Sequence, residues 1–146
     1  MNFETGVSDK ILIVSSDIDK VNILNELLKD QYLISTTSTL IDILNTTLAL
    51  KPDLILINIE SDQAIHTGQS NIEKACLQLQ QNKKTSLIPI ISIESEFNNM
   101  NRDSLLRSGC VDYIKFPLDE VLLKSKIRKH FKNYLYLKYL ESMSNI

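Results

Sequence analysis

The stretch Pro52-Asp53-Leu54-Ile55-Leu56-Ile57-Asn58-Ile59-Glu60 is the strongest indication of the fold. It is a continuous apolar run that ends in polar residues. A short run of this kind is typical of a strand buried on both faces of a parallel sheet, between layers of helices. In open α/β sheets, chemistry takes place at the carboxyl ends of such strands. Asn58 therefore stands at the natural place for a site, although its neutral amide is a poor nucleophile.

Strand-like and helix-like segments alternate on both sides of this run. Further strands are predicted at 10–14, 32–36, 87–93 and 111–114. Helical spacing of apolar residues predicts helices at 19–30, 71–81, 97–108 and 119–144, with Gly109 as the cap of the third of these. A further helix is predicted between the first two, beginning after a cap at Ser38 or Thr39. This alternation favours βαβ units and a doubly wound α/β fold.

The flavodoxin-like strand order 2-1-3-4-5 is the usual solution for a five-stranded sheet of this size. That order places the carboxyl ends of the first and third strands side by side. Ser15, Ser16, Asp17 and Asn58 are then expected to share one crevice.

Composition favours a single soluble domain. The 146 residues are 43% hydrophobic and carry a net charge of −2, which argues against a nucleic-acid-binding molecule. Residues 119–146 contribute +3 and the first 118 contribute −5. Cys76 and Cys110 have no ligand or redox spacing, which indicates a reducing cytosol. Residues 1–9 look like a polar leader, and no apolar run approaches the roughly 20 residues of a membrane span. We expect a cytoplasmic protein that does not enter the membrane.

Five short blocks resemble the receiver domain of bacterial two-component response regulators. They are Ile11-Leu12-Ile13-Val14 before a polar turn, Lys51-Pro52-Asp53-Leu54-Ile55-Leu56-Ile57, Ile88-Pro89-Ile90-Ile91, Ser108-Gly109 with Asp112-Tyr113-Ile114, and Pro117. Their order and spacing are similar to the family over residues 10–131. We assign 10–131 to a receiver-like domain and 132–146 to an extension of its last helix.

The resemblance implies a phosphoacceptor site, but all five of its positions depart from the family. A working receiver needs an aspartate nucleophile, a pair of acids for Mg²⁺, a hydroxyl and a lysine. The residues at these positions are Asn58 for the nucleophile, Ser15 and Ser16 for the acid pair, Glu94 for the hydroxyl and Phe116 for the lysine. Asp17 is the only acid left after the first strand. Lys115 lies one residue early, and alternation turns its side chain away. We expect a pseudo-receiver with no metal, no cofactor and no catalytic residue.

A narrower resemblance points to one class within the family. In diguanylate cyclases with two tandem receivers, the second receiver is degenerate and serves as a dimerisation adaptor. This sequence is similar to it in three respects. It has Asn58 in the acceptor position, it keeps Pro117 but has Phe116 in place of the lysine, and its last helix has a basic, tyrosine-bearing continuation.

The last helix is expected to be about 39 Å long at roughly 1.5 Å per residue, about twice what the sheet needs. Its far half keeps apolar residues, and an unpacked helix is only marginally stable. The family's usual partner face, formed by the fourth helix, fifth strand and fifth helix, suggests a continuous contact surface. The residues predicted for this surface are Arg102, Leu105, Tyr113, Leu122, Phe131, Tyr134 and Leu137.

These observations predict a non-enzymatic signalling adaptor that contacts a protein partner or a second copy. Two alternatives remain. One is an atypical receiver that still accepts a phosphoryl group. The other is a small flavodoxin-like ligand binder or enzyme that uses the crevice around Asp17, Asn58 and Glu94.

Overall fold

A single five-stranded parallel sheet forms the centre of the molecule. The structure, a computed structural model, describes residues 9–58, 71–94, 106–107 and 109–144. The strands are β1 (Lys10–Ser15), β2 (Leu33–Thr37), β3 (Leu54–Asn58), β4 (Ile90–Glu94) and β5 (Asp112–Lys115). They are ordered β2-β1-β3-β4-β5, and all neighbouring pairs are parallel. The predicted flavodoxin-like fold and strand order are confirmed.

Alternation along the buried strands divides the core between the two faces of the sheet. Leu12 and Val14 of β1 point into one cluster, while Ile11 and Ile13 point into the other. The same division holds along β3, where every residue is buried. Burial on both faces explains why these strands read as continuous apolar runs.

Four helices cover the sheet within the described ranges. They are α1 (Ile18–Leu28), α2 (Ile43–Leu50), α3 (Asn71–Gln80) and α4 (Glu120–Ser144). Residues of α2 and α3 join the cluster containing Leu12, and residues of α1 and α4 join the cluster containing Ile11. The predicted helix at 97–108 lies mostly outside the described residues.

The start of α2 and the start of β4 differ from the sequence-based expectation. The Thr39 hydroxyl accepts a hydrogen bond from the Ile41 N–H at 3.0 Å, so it closes a turn, and α2 begins only after Asp42. The segment before β4 is also a turn, in which the Thr85 hydroxyl donates to the Leu79 carbonyl at 2.6 Å. Both polar side chains satisfy local backbone groups and thereby delay the regular element.

Gly109 occupies a position that strongly favours glycine. Its φ is +113°, and a Cβ atom there would lie 2.5 Å from Cγ of Gln80 on α3. The expectation that Gly109 adopts a positive φ is confirmed.

The last helix, α4, runs from Glu120 to Ser144, as predicted to within one residue. Its first half packs on the sheet through Leu123 and Ile127, which are fully buried. Phe131 is only 4% exposed and stacks on Tyr32, with ring centroids 5.5 Å apart. Tyr134 is 7% exposed and belongs to the core cluster on the other face. These two residues, predicted for the partner face, are therefore part of the core of the domain.

A charged cluster fastens α4 to the start of β5. Asp112 Oδ1 accepts from Lys126 Nζ at 2.9 Å, and Asp112 Oδ2 lies 3.0 Å from His130 Nε2. Partial burial acts to raise the pKa of Asp112, but the hydrogen bonds from His130 and Lys126 outweigh it and lower the pKa. The carboxylate thus stays ionised and holds two successive turns of α4.

Across the ranges that the structure describes, none of the helices combines the length and the apolar character needed to cross a membrane.

Candidate functional site

The carboxyl edge of the sheet brings the predicted crevice residues together. Ser15, at the end of β1, is the direct register partner of Asn58, at the end of β3. Both side chains are buried, and Asn58 is only 2% exposed. The expected proximity of the two strand ends is therefore confirmed.

A chain of hydrogen bonds, which we call the polar relay, occupies this crevice. The Asp17 N–H donates to Ser15 Oγ at 3.2 Å, and Ser15 Oγ donates to Asn58 Oδ1 at 3.2 Å. Asn58 Nδ2 then donates to the Ile93 carbonyl on β4 at 2.7 Å. Both ends of the amide are thus engaged in bonds that join the ends of three neighbouring strands.

Asp17 and Ser16 serve other purposes. Asp17 Oδ1 accepts from the N–H groups of Asp19 and Lys20 at 3.0 and 3.3 Å, which is the geometry of a helix N-cap. The one acid at the end of β1 thus caps α1. Ser16 is exposed and lies on the wall of a neighbouring cavity.

Glu94 and Phe116 lie on the other side of Asn58. Glu94 is 1% exposed at the end of β4, and its carbonyl accepts from the Phe116 N–H at 2.8 Å. Lys115 is exposed, as expected from strand alternation. Lys20 of α1 places Nζ 4.8 Å from the centroid of the Phe116 ring, within cation–π range.

Lys20 was missed by the sequence reasoning, which searched for a cation only near Phe116 in the chain. The available signal was its position three residues after Asp17, in the first turn of a helix that starts at the crevice. That spacing aims a side chain along the carboxyl edge of the sheet.

The donor set does not suit the Mg²⁺ ion that working receivers require. Mg²⁺ prefers near-octahedral oxygen ligands, usually including carboxylates. Here the Asn58 amide donates to a carbonyl, the Ser15 hydroxyl donates to that amide, and the Asp17 carboxylate caps α1. Within the described residues, no three His, Cys, Asp or Glu side chains are grouped to hold a metal.

A cavity of about 470 Å³ opens beside the crevice, between the end of β1, the turn that joins β2 to α2, and the helix α3. Its polar lining residues are Ser16, Ser38, Thr39, Asn71, Lys74 and Gln78. Asp17, Asn58 and Glu94 do not line this cavity, so it is a different place from the crevice expected around those three residues.

The predicted partner face is only partly exposed. Leu122 and Leu137 are each 44% exposed on α4. Tyr113 is half-buried, and Lys126 Nζ lies 5.4 Å from its ring centroid. Arg102 and Leu105 lie outside the described residues.

Solved structures with a similar fold include many receiver domains. A signal receiver domain from Vibrio parahaemolyticus aligns with a TM-score of 0.75 and 19% identity, over 92% of this chain and 98% of that one. The N-terminal domain of the nisin resistance regulator NsrR aligns with a TM-score of 0.66 and 28% identity, over 86% of this chain and 99% of that one. The receiver domain of a sensor histidine kinase from Pseudomonas aeruginosa PAO1 aligns with a TM-score of 0.71 and 16% identity, over 86% of this chain and 99% of that one. That structure has a magnesium ion coordinated in its active site cleft. No protein-family model and no curated protein matches the chain.

The chain therefore has the receiver-domain fold. At the edge of the sheet where working receivers carry out phosphoryl transfer, it carries a neutral polar relay.

Proposed function

We propose that this chain is a receiver-type module of a bacterial two-component pathway that accepts no phosphoryl group and acts through protein contacts. The observation that carries this proposal is the polar relay through Asn58. Its amide is buried and hydrogen-bonded at both ends, to Ser15 at 3.2 Å and to Ile93 at 2.7 Å.

Phosphorylation of a carboxylate needs a nucleophilic oxygen with a negative charge and a cation to neutralise the phosphoryl oxygens. Asn58 offers no such oxygen. The buried Glu94 stands where an active site would stabilise a phosphoryl group, and its carboxylate would repel one when ionised. The family's lysine position is filled by Phe116, and Lys20 lies over that ring.

Incubation with a small-molecule phosphodonor and Mg²⁺ is expected to leave the mass of the intact chain unchanged. The physical reason is that no carboxylate is free at residue 58 to attack the donor. Intact-mass spectrometry checks this, with a working receiver domain in the same mixture as the positive control. A covalent gain of about 80 Da on a residue at the carboxyl edge would instead establish the alternative of an atypical phosphoacceptor.

The second part of the proposal concerns the extension of α4. Leu135, Tyr136, Tyr139, Leu140 and Met143 are between 44% and 61% exposed. At about 100° per residue they fall within an arc of about 140°, which we call the outer stripe. The buried residues Leu123, Ile127, Phe131 and Tyr134 lie on the opposite side of the helix. The outer stripe therefore faces away from the domain.

A second copy of this chain is the occupant that we propose for the outer stripe. Two copies offer each other the same apolar side chains, which is the self-complementary arrangement of a twofold dimer. The extension of α4 beyond the domain is a short helix, and a short helix without packing is only marginally stable in water. Pairing of two copies would bury its exposed apolar face. The polar and basic residues just before it, Ser125, Arg128, Lys129 and Lys132, would border the contact.

Sedimentation velocity is expected to show a dimer for the parent chain and a monomer for Leu140→Glu. A chain that ends at Lys138 keeps the buried Tyr134 but lacks Tyr139, Leu140 and Met143, and we expect it to be monomeric. The matched control is Val121→Glu, which adds the same charge at a 78% exposed position at the start of α4. A monomeric parent, or equal dissociation by Val121→Glu, contradicts pairing through the outer stripe.

The resemblance to the degenerate receiver of tandem-receiver diguanylate cyclases supports an adaptor that positions a neighbouring output domain. We propose a diguanylate cyclase as the first candidate for that output. Cys76 and Cys110 are buried, and burial raises the pKa of Cys110 to about 11, which keeps its thiol unreactive. Such thiols fit the cytoplasmic location that we propose.

A further inference from the structure

A second cavity, of about 260 Å³, lies at the amino end of the sheet, opposite the polar relay. It is enclosed by the end of α2, the turn before β3, the segment before β4 and the middle of α4. Its lining includes Thr47, Lys51, Asp53, Lys84, Tyr134 and Lys138. Its volume is just below the roughly 300 Å³ at which pockets for drug-sized ligands begin, so it suits a small ligand.

The lining of this cavity carries an excess of positive charge. Lys51, Lys84 and Lys138 come from three different elements, and Asp53 is the one acid that lines it. Asp53 Oδ2 already accepts from the Lys10 N–H at 2.9 Å. Among the described residues, none of the three lysines forms an ion pair with a carboxylate. Lys51 has a left-handed backbone, with a φ of +51°, and its N–H donates to the Thr47 carbonyl at 2.8 Å.

The wall also contains a polar atom that has no partner. Thr47 is 1% exposed, and its Oγ1 makes no hydrogen bond. Leaving a buried hydroxyl unpaired costs roughly 1 to 3 kcal/mol, so such a group calls for an explanation. Thr47 lines the cavity and its hydroxyl is covered in the empty cavity, so a ligand with acceptor oxygens would pair with Oγ1 after the side chain turns toward the cavity.

We propose that this cavity binds a small oxyanion of the phosphate type. The lysines neutralise its charge, and Thr47 Oγ1 donates a hydrogen bond to one of its oxygens. This proposal is independent of whether residue 58 can be phosphorylated, because the two sites lie at opposite ends of the strands.

Binding at this place would also affect the last helix. Tyr134 is the last buried residue of α4, and Lys138, one turn later, places Nζ 5.0 Å from the Tyr134 ring centroid. An anion held between Lys138 and the lysines of the other two elements would tie the exit of α4 to the domain. The ligand would thereby fix the direction in which the outer stripe leaves the domain.

The test is a titration of the full chain with inorganic phosphate, in which amide chemical-shift changes are measured in ¹H–¹⁵N NMR spectra. A titration with sodium chloride at equal ionic strength is the control. We expect saturable shifts around residues 47–53 and 84–85 that chloride does not reproduce. Lys84→Ala is expected to weaken binding about tenfold, the effect of losing one hydrogen bond to a charged group. Lys129→Ala, which removes an equal charge elsewhere on α4, is expected to leave the affinity unchanged.

Thr47→Val provides a second, independent readout. It removes the hydroxyl but keeps the shape, so phosphate affinity should fall while the thermal midpoint without phosphate stays the same or rises. A parallel titration with glycerol phosphate separates two sources of the anion, since tighter binding of the ester indicates a phosphorylated metabolite. Shifts that do not saturate, shifts that chloride reproduces, or an equal loss with Lys129→Ala would each overturn the proposal.

Discussion

Replacing Asn58 with Asp is expected to lower the free energy of unfolding by about 3 kcal/mol at neutral pH. The substitution restores the residue type that a working receiver uses, but it removes the amide that donates to the Ile93 carbonyl at 2.7 Å. A carboxylate oxygen would then face a carbonyl oxygen in a position that is only 2% exposed. Urea or thermal denaturation of the parent and the variant measures the difference.

The loss of folding stability in Asn58→Asp should depend on pH, and the direction of that dependence can be worked out. Burial without a donor raises the pKa of the new carboxyl above its unfolded value of about 3.9. Between these two pKa values the folded state binds more protons than the unfolded state, so stability relative to the parent falls as pH rises. The deficit is therefore smallest below about pH 4 and reaches its full size above the folded-state pKa.

Asn22→Asp is the matched control, because it introduces the same charge on the exposed surface of α1. We expect it to change stability by less than about 0.5 kcal/mol at any pH. If Asn58→Asp proved as stable as Asn22→Asp at neutral pH, the polar relay would not have the structural importance that we assign to it. We also expect Asn58→Asp to remain unphosphorylated, because Ser15, Ser16 and Phe116 still replace the metal ligands and the lysine.

Replacing Phe131 with Ala is expected to lower the free energy of unfolding by about 3 to 5 kcal/mol. Phe131 is 4% exposed and stacks on Tyr32 at 5.5 Å, so truncation leaves a cavity between α4 and the sheet. Denaturation monitored by circular dichroism measures the loss.

Leu137→Ala, six residues further along α4, provides the comparison. Leu137 is 44% exposed, and we expect its truncation to cost less than about 0.5 kcal/mol in the monomer. Equal effects of the two substitutions would mean that residues 131–137 behave as one surface, as the sequence reasoning assumed.

The fold was predictable because burial on both faces leaves a direct trace in the sequence. The strands β1, β3 and β4 are buried and read as apolar runs, and the helices between them have regular apolar spacing. The proximity of Ser15 and Asn58 then follows from the strand order alone. The strand order does not determine which group donates and which accepts in each hydrogen bond of the polar relay.

The residues of α4 show why the partner face was harder to predict. Phe131 and Tyr134 have the same apolar character as Leu135 and Tyr139, and composition cannot separate core from contact. Angular position on the helix separates them, because Phe131 and Tyr134 lie on the same side as Leu123 and Ile127. Asp17 was ambiguous for a similar reason, since one acid after a strand suits a helix cap as well as a metal ligand.

The polar relay also bears on how such a module could be controlled. An amide and a hydroxyl neither gain nor lose a proton near neutral pH, so the Ser15 and Asn58 side chains of the polar relay keep the same charge under all ordinary conditions. No covalent mark at residue 58 would then distinguish one molecule from another. Control would have to come from the abundance of the protein, from competition among binding partners, or from small solutes at a distant surface.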